Sequence, residues 1–157
     1  MADQKQFNGV VNFNGALHAR GEGTKSPSIL TKWPAAASVG ATGHTTVTIA
    51  MMVTGIVEED PEGAANWTLD TPALCVAGVD NVAVGDCIDF ACINSATTGA
   101  DEIVTIVMPS GGTAVGNMAI AAANITEDQE NSGSALFRLR FTNVTSGAET
   151  YTVYRLA

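Results

Sequence analysis

An all-β fold, with a sandwich or jelly-roll-like body and an extended N-terminal arm, is predicted by three observations. Residues 45 to 157 repeatedly alternate apolar, often β-branched residues with polar ones, the period of half-buried strands. Clusters of Gly, Asn, Asp and Pro divide these runs at the short spacing of sandwiches and jelly rolls. Residues 1 to 44 hold no sustained period of either 2 or 3.6. A chain of 157 residues accommodates one domain plus such an arm, with the division at residues 44 and 45.

Within the arm, Phe7-Asn8-Gly9 and Phe13-Asn14-Gly15 form an imperfect repeat of turn-forming Asn-Gly pairs. Gly21 to Pro27 has a composition that resists helix and sheet alike. Trp33 precedes Pro34, which pushes its backbone toward an extended conformation.

The body opens at Thr45. Val47, Ile49, Met51 and Val53 alternate with more polar neighbours and predict a strand from Thr45 to Thr54. Glu58 to Gly63 reads as an exposed turn, followed by a returning strand that carries Trp67 and Leu69. Further strands are expected at Asp86 to Asn94, Glu102 to Met108, Met118 to Ile125, Ser134 to Val144 and Tyr151 to Leu156. Turns fall at Asn94 to Asp101, Pro109 to Thr113 and Thr145 to Glu149. Alternation is clearest where Ala135, Phe137, Leu139 and Phe141 form a core face opposite Leu136, Arg138, Arg140 and Thr142.

Two segments are apolar on both faces and built of small residues, Thr71 to Ala77 and Met118 to Ala123. Read as strands, they need cover on the second face from the arm, a loop or another subunit, which marks Ala73, Cys75, Ala119 and Ala121 as candidate subunit contacts. A short buried helix is the alternative for each, above all for the alanine-rich one.

Charge is divided between the two parts. Residues 1 to 44 hold four basic residues, Lys5, Arg20, Lys25 and Lys32, against two acids, a net +2. Residues 45 to 157 hold three arginines against fourteen acids, a net −11, so the chain totals −9. So acidic a body does not suit nucleic acid, which demands clustered Lys and Arg. The arm also carries Phe7, Phe13, Leu17, Ile29, Leu30 and Trp33, too much large apolar surface for a segment meant to stay in water, so it is expected to fold against a partner. Arg138 and Arg140 are expected to pair with carboxylates of the same or an adjacent subunit.

Nothing in the sequence assembles a reaction centre. His18 and His44 stand away from any recognisable nucleophile setting, and there is no Gly-x-Ser-x-Gly, His-Glu-x-x-His or phosphate-loop motif. The acids Glu58, Glu59, Asp60 and Glu62 lack calcium-loop spacing. Cys75, Cys87 and Cys92 are read as buried free thiols with no zinc-ligand spacing. The expectation is a protein with no enzymatic activity, cofactor or metal. Met1 to Gln6 is polar and no run of eighteen apolar residues exists, which predicts a soluble protein made in the cytoplasm, without membrane contact.

From Leu69 onward the chain resembles the decoration, or cement, proteins of tailed-bacteriophage heads. The features that carry the resemblance are Thr68-Leu69-Asp70-Thr71, Val84-Gly85-Asp86-Cys87-Ile88-Asp89-Phe90 leading to Ile93-Asn94, Val115-Gly116-Asn117-Met118, Ala135 to Val144 and Tyr151 to Ala157. The resemblance implies an all-β body that forms a homotrimer on the virion surface, and an extended terminal segment that grips the major capsid protein. Lys5, Phe7, Phe13, Arg20, Lys25, Lys32 and Trp33 would then be the gripping residues. The competing reading is an adhesion or carbohydrate-binding module of a phage fibre, which needs aromatic rings free to stack on sugars; the chain has nine aromatic residues, most of them in strands or arm.

Overall fold

The computed structural model describes residues 35–38, 45–97, 102–122 and 133–157. These lie in one compact unit that runs from Trp33 to Ala157. In chain order its elements are β1 (Ala37–Ser38), β2 (Thr45–Val47), α1 (Ile49–Met52), β3 (Ile56–Glu59), β4 (Ala65–Leu69) and α2 (Pro72–Ala77). Then follow β5 (Cys87–Asn94), β6 (Val104–Val107), β7 (Gly112–Val115), β8 (Ala119–Ile120), β9 (Ser134–Asn143) and β10 (Thr150–Arg155). Ala37–Ser38, inside the range read as arm, pairs with β3 as a strand of the body.

The strands form a six-stranded sheet in the order β1-β3-β5-β9-β10-β7 and a four-stranded sheet in the order β2-β4-β6-β8. From β1 to β6 the chain changes sheet at every strand, and the neighbours within each sheet run parallel. That is a superhelical wind, in which each circuit lays one strand in each sheet and advances by one strand spacing, about 4.8 Å. The later strands close it differently. β9 pairs antiparallel with both β5 and β10, β8 runs antiparallel to β6, and β7 joins β10 in parallel at the far edge.

The expected all-β sandwich or jelly roll is therefore overturned. Both sheets mix parallel and antiparallel pairs and two short helices interrupt the strands, a mixed, α/β-like fold. Alternation of side chains specifies which residues face a core, but it is identical for parallel and antiparallel neighbours, so it carries no information on strand direction.

Three local expectations change with the fold. The strand expected from Thr45 to Thr54 stops at Val47 and gives way to α1. Thr48, in extended conformation, caps that helix by accepting from Met51 N at 3.3 Å, and Ile49 and Met52 turn inward at helical spacing while Val53 stays 48% exposed. Thr71 to Ala77 is likewise a helix: Thr71 caps it, Pro72 occupies its first turn, and Pro72 and Cys75 face inward. The alanine-rich segment, the stronger helix candidate, instead holds strand β8, and its residues from 123 on lie outside the described region. Finally, the turn expected at Pro109 to Thr113 contains the start of β7.

Both sheets and both helices contribute to one core. Trp67, Leu69, Val104, Ile106 and Ile120 come from the four-stranded sheet; Phe90, Phe137, Leu139, Phe141, Tyr151 and Val153 come from the other. Phe90 and Phe137 are register partners whose rings lie 5.8 Å apart. Asn94, fully buried, donates from Nδ2 to the carbonyls of Glu102 and Ile120 and accepts at Oδ1 from Ala96 N, so its amide ties β5 to β8 at no cost in unpaired groups.

Candidate functional site

Two places gather polar or reactive side chains, one inside the body and one on its surface. The internal one is built around Asp70, at the end of β4. Its carboxylate accepts from Ile49 N at 2.8 Å, which places a buried negative charge at the start of α1. Its backbone carbonyl accepts from Tyr151 Oη at 2.9 Å and from Cys75 Sγ at 3.6 Å, while its N–H donates to Val47 O. Burial, reinforced by the charge of Asp70, pushes the Cys75 thiol up to about 12. The Tyr151 phenol is raised by the same burial and by its neighbours Cys75 and Asp70. Burial favours the protonated thiol and phenol, and both act here as hydrogen-bond donors. The cluster fastens β4, α1, α2 and β10 together.

The surface place is the solvent face of the six-stranded sheet. Register puts Ile56, Ala91 and Leu136 in one row across β3, β5 and β9, and Leu156 joins it because its N–H donates to Leu136 O. Ile56, Leu136 and Leu156 are each more than 40% exposed. The next row is Asp89, Arg138, Tyr154 and Val115, and the one beyond it Cys87, Arg140, Thr152 and Thr113. Arg138 meets Asp89 in a two-pronged pair, Nε to Oδ1 and Nη2 to Oδ2, both 2.7 Å. That hydrogen bonding holds the Asp89 carboxyl below its ordinary range and raises Arg138. The face thus presents an apolar band beside a fixed ion pair.

The residues singled out from sequence are distributed as follows. Arg138 pairs with a carboxylate of its own chain. Arg140, half-buried, stands over the turn before β5, where a methyl group on Gly85 would lie 3.7 Å from its Nη2. Ala73 is exposed, Ala119 and Ala121 are half-buried, and Cys75 is fully buried, so Cys75 contributes to the Asp70 cluster and presents nothing to another subunit. Cys92 is buried and its thiol is pushed up to about 12, as a core cysteine should be; Cys87, expected to be buried with it, is exposed at the mouth of β5. Trp67 is 1% exposed and is not available to stack on a sugar ring. Lys5, Phe7, Phe13, Arg20, Lys25, Lys32, Trp33, His18 and His44 lie outside the described residues.

The structural roles of Asp70 and Asn94 depend on partners far along the chain and show in no single segment of sequence. A local signal exists only for the helix that follows the first: Asp70-Thr71-Pro72 has the composition of a helix start. No group of three or more His, Cys, Asp and Glu side chains suited to a metal ion occurs among the described residues. No family model, curated protein or solved structure matches this chain.

Proposed function

We propose that this chain is a structural protein that decorates a bacteriophage capsid, its N-terminal segment holding the major capsid protein while the body lies on the outside of the shell. The observation that carries the reading is the division of charge: a body of net −11 follows a leading segment of net +2 that is also rich in large apolar side chains. An acidic body stays soluble and resists unspecific clustering, while the leader supplies both a complementary charge and apolar surface to bury. Burial of an aromatic side chain is worth roughly 1.5–3 kcal/mol, so Phe7, Phe13 and Trp33 together outweigh four screened surface charges. A second support is spatial. Three of the five stretches that resemble decoration proteins form β5, β9 and β10, which are adjacent in the six-stranded sheet.

Such a protein stabilises a shell by adding contacts that pressure from within must break. The test is sedimentation of the purified full chain with empty phage heads. Binding that persists at about 0.5 M salt, where surface charge is screened, and fails in Phe7→Ala/Phe13→Ala/Trp33→Ala supports the reading. Absence of the wild-type chain from the head fraction at low salt overturns it.

A further inference from the structure

Among the described residues β7 is a short edge strand that carries no charged or proline guard. It ends the six-stranded sheet, and Thr113, Ala114 and Val115 are all exposed. Edge strands are ordinarily blunted by Lys, Pro, a bulge or an inward charge, because their open backbone groups pair with any strand that approaches. Here Gly-Thr-Ala-Val offers none of these guards between Gly111 and Gly116, whose positive φ angles of 86° and 100° bracket the strand. The neutrality extends further: from Ile103 to Thr126 there is no charged residue, in a chain of net charge −9.

The phase of the ladder shows which groups are open. Tyr151 N donates to Gly111 O, and Tyr151 is the register partner of Gly112. In a parallel ladder this turns the backbone groups of Gly111, Thr113 and Val115 toward β10 and the N–H and C=O of Ala114 away from it. Thr113 and Val115, partners of Thr152 and Tyr154, put their side chains on the solvent face.

We infer that β7 pairs with β7 of a second copy of this chain, antiparallel about a twofold axis at Ala114, joining two six-stranded sheets into one. Two features favour a second copy as the occupant. An isologous contact needs a self-complementary surface, and a neutral strand with one central open donor and acceptor is self-complementary. The seam also falls in a stretch with no charge of its own, so in a body of net −11 it sets no like charges of β7 against each other. This pairing is independent of the capsid reading and replaces the threefold that the resemblance implies with a twofold.

Pairing at Ala114 sets Thr113 of each copy directly opposite Val115 of the other. Sedimentation velocity of the full chain should therefore give twice the 16.1 kDa chain mass. Thr113→Lys/Val115→Lys puts like charges face to face twice and should weaken the dimer about tenfold or more. Thr113→Lys/Val115→Glu, which faces lysine with glutamate across the same seam, should restore it. The restored dimer also shows that substitution here does not unfold the body. A wild-type monomer or trimer, a dimer indifferent to the double lysine, or a lysine–glutamate variant as dissociated as the double lysine each overturns the assignment. So does a monomer whose double-lysine variant loses binding to phage heads, which would give the edge to the capsid protein.

Discussion

Tyr151 donates its phenolic hydrogen to the backbone carbonyl of Asp70 across 2.9 Å, though 81 residues separate the two in the chain. The contact joins the last strand of the six-stranded sheet to the end of β4 in the other sheet, at the point where Asp70 also secures α1. Both partners are buried, so each hydrogen bond here replaces water that is not available.

Tyr151→Phe removes one of the two donors to that carbonyl and leaves the Cys75 thiol in place, at an expected cost of about 1–2 kcal/mol. Asp70→Ala removes the acceptor for Ile49 N and leaves a buried N–H at the helix start unpaired, which costs about 1–3 kcal/mol and exceeds the first loss. Urea denaturation of both variants checks the order. A Tyr151→Phe protein less stable than Asp70→Ala would show that the carbonyl, and not the carboxylate, holds the cluster.

A second stability prediction concerns the close approach of α2 and α1. A Cβ on Gly78 would sit 2.4 Å from Ile49 Cγ2, in a buried β-branched side chain with little freedom to retreat. Gly78→Ala should destabilise by about 1–3 kcal/mol through overpacking. Ile49→Ala removes the obstructing atoms, so the double variant should lose less than the two single losses combined. Strict additivity in thermal melts would mean that the helices part freely.

The thiols separate by environment. Cys87 is exposed, whereas Cys75 and Cys92 are buried with their thiols pushed up to about 12. A thiol reagent should therefore label one cysteine per native chain at pH 8, mapped to Cys87 by mass spectrometry, and all three in denaturant. Rapid native labelling of Cys75 would show that α2 opens readily.

These contrasts also show what the sequence made legible. The inward face of β9, with Ala135, Phe137, Leu139 and Phe141, is buried as its alternation says, and the strands expected around β5 and β10 are present. Each has a core side and a wet side, so period 2 alone identifies it. Thr45 to Thr54 failed because Val47 and Ile49 suit a strand as well as a helix, and the deciding group, the Asp70 carboxylate, comes from another part of the chain. β7 was hidden in a glycine-rich stretch where turn formers border a strand. The parallel pairings left no trace in any single segment, since direction belongs to the pair. On the surface, the alternation placed Arg138 outward correctly, while its partner Asp89 emerges only from the register of β5 on β9.

That register makes the ion pair testable by pH. Asp89 is held below its ordinary value, chiefly by hydrogen bonding to Arg138, so the folded protein binds this proton less readily than the unfolded chain does. The pair's contribution is then fully present above the unfolded value, about 3.9, and is lost as pH falls through the lower folded value. Both side chains are nearly half exposed, at 45% and 46%, so solvent screens the attraction and the contribution is small. Arg138→Met keeps much of the stem and removes the charge, and its stability should fall slightly below wild type at pH 6. The two acid-denaturation curves should converge as pH drops below about 4, where Asp89 of the unfolded chain begins to protonate. Salt offers an independent arm: about 1 M NaCl should narrow the difference at pH 6, because it screens exposed charges. A gap that persists undiminished at pH 2 would assign the effect to packing of the arginine stem against the outer face of the sheet, leaving the pair with Asp89 no part in stability.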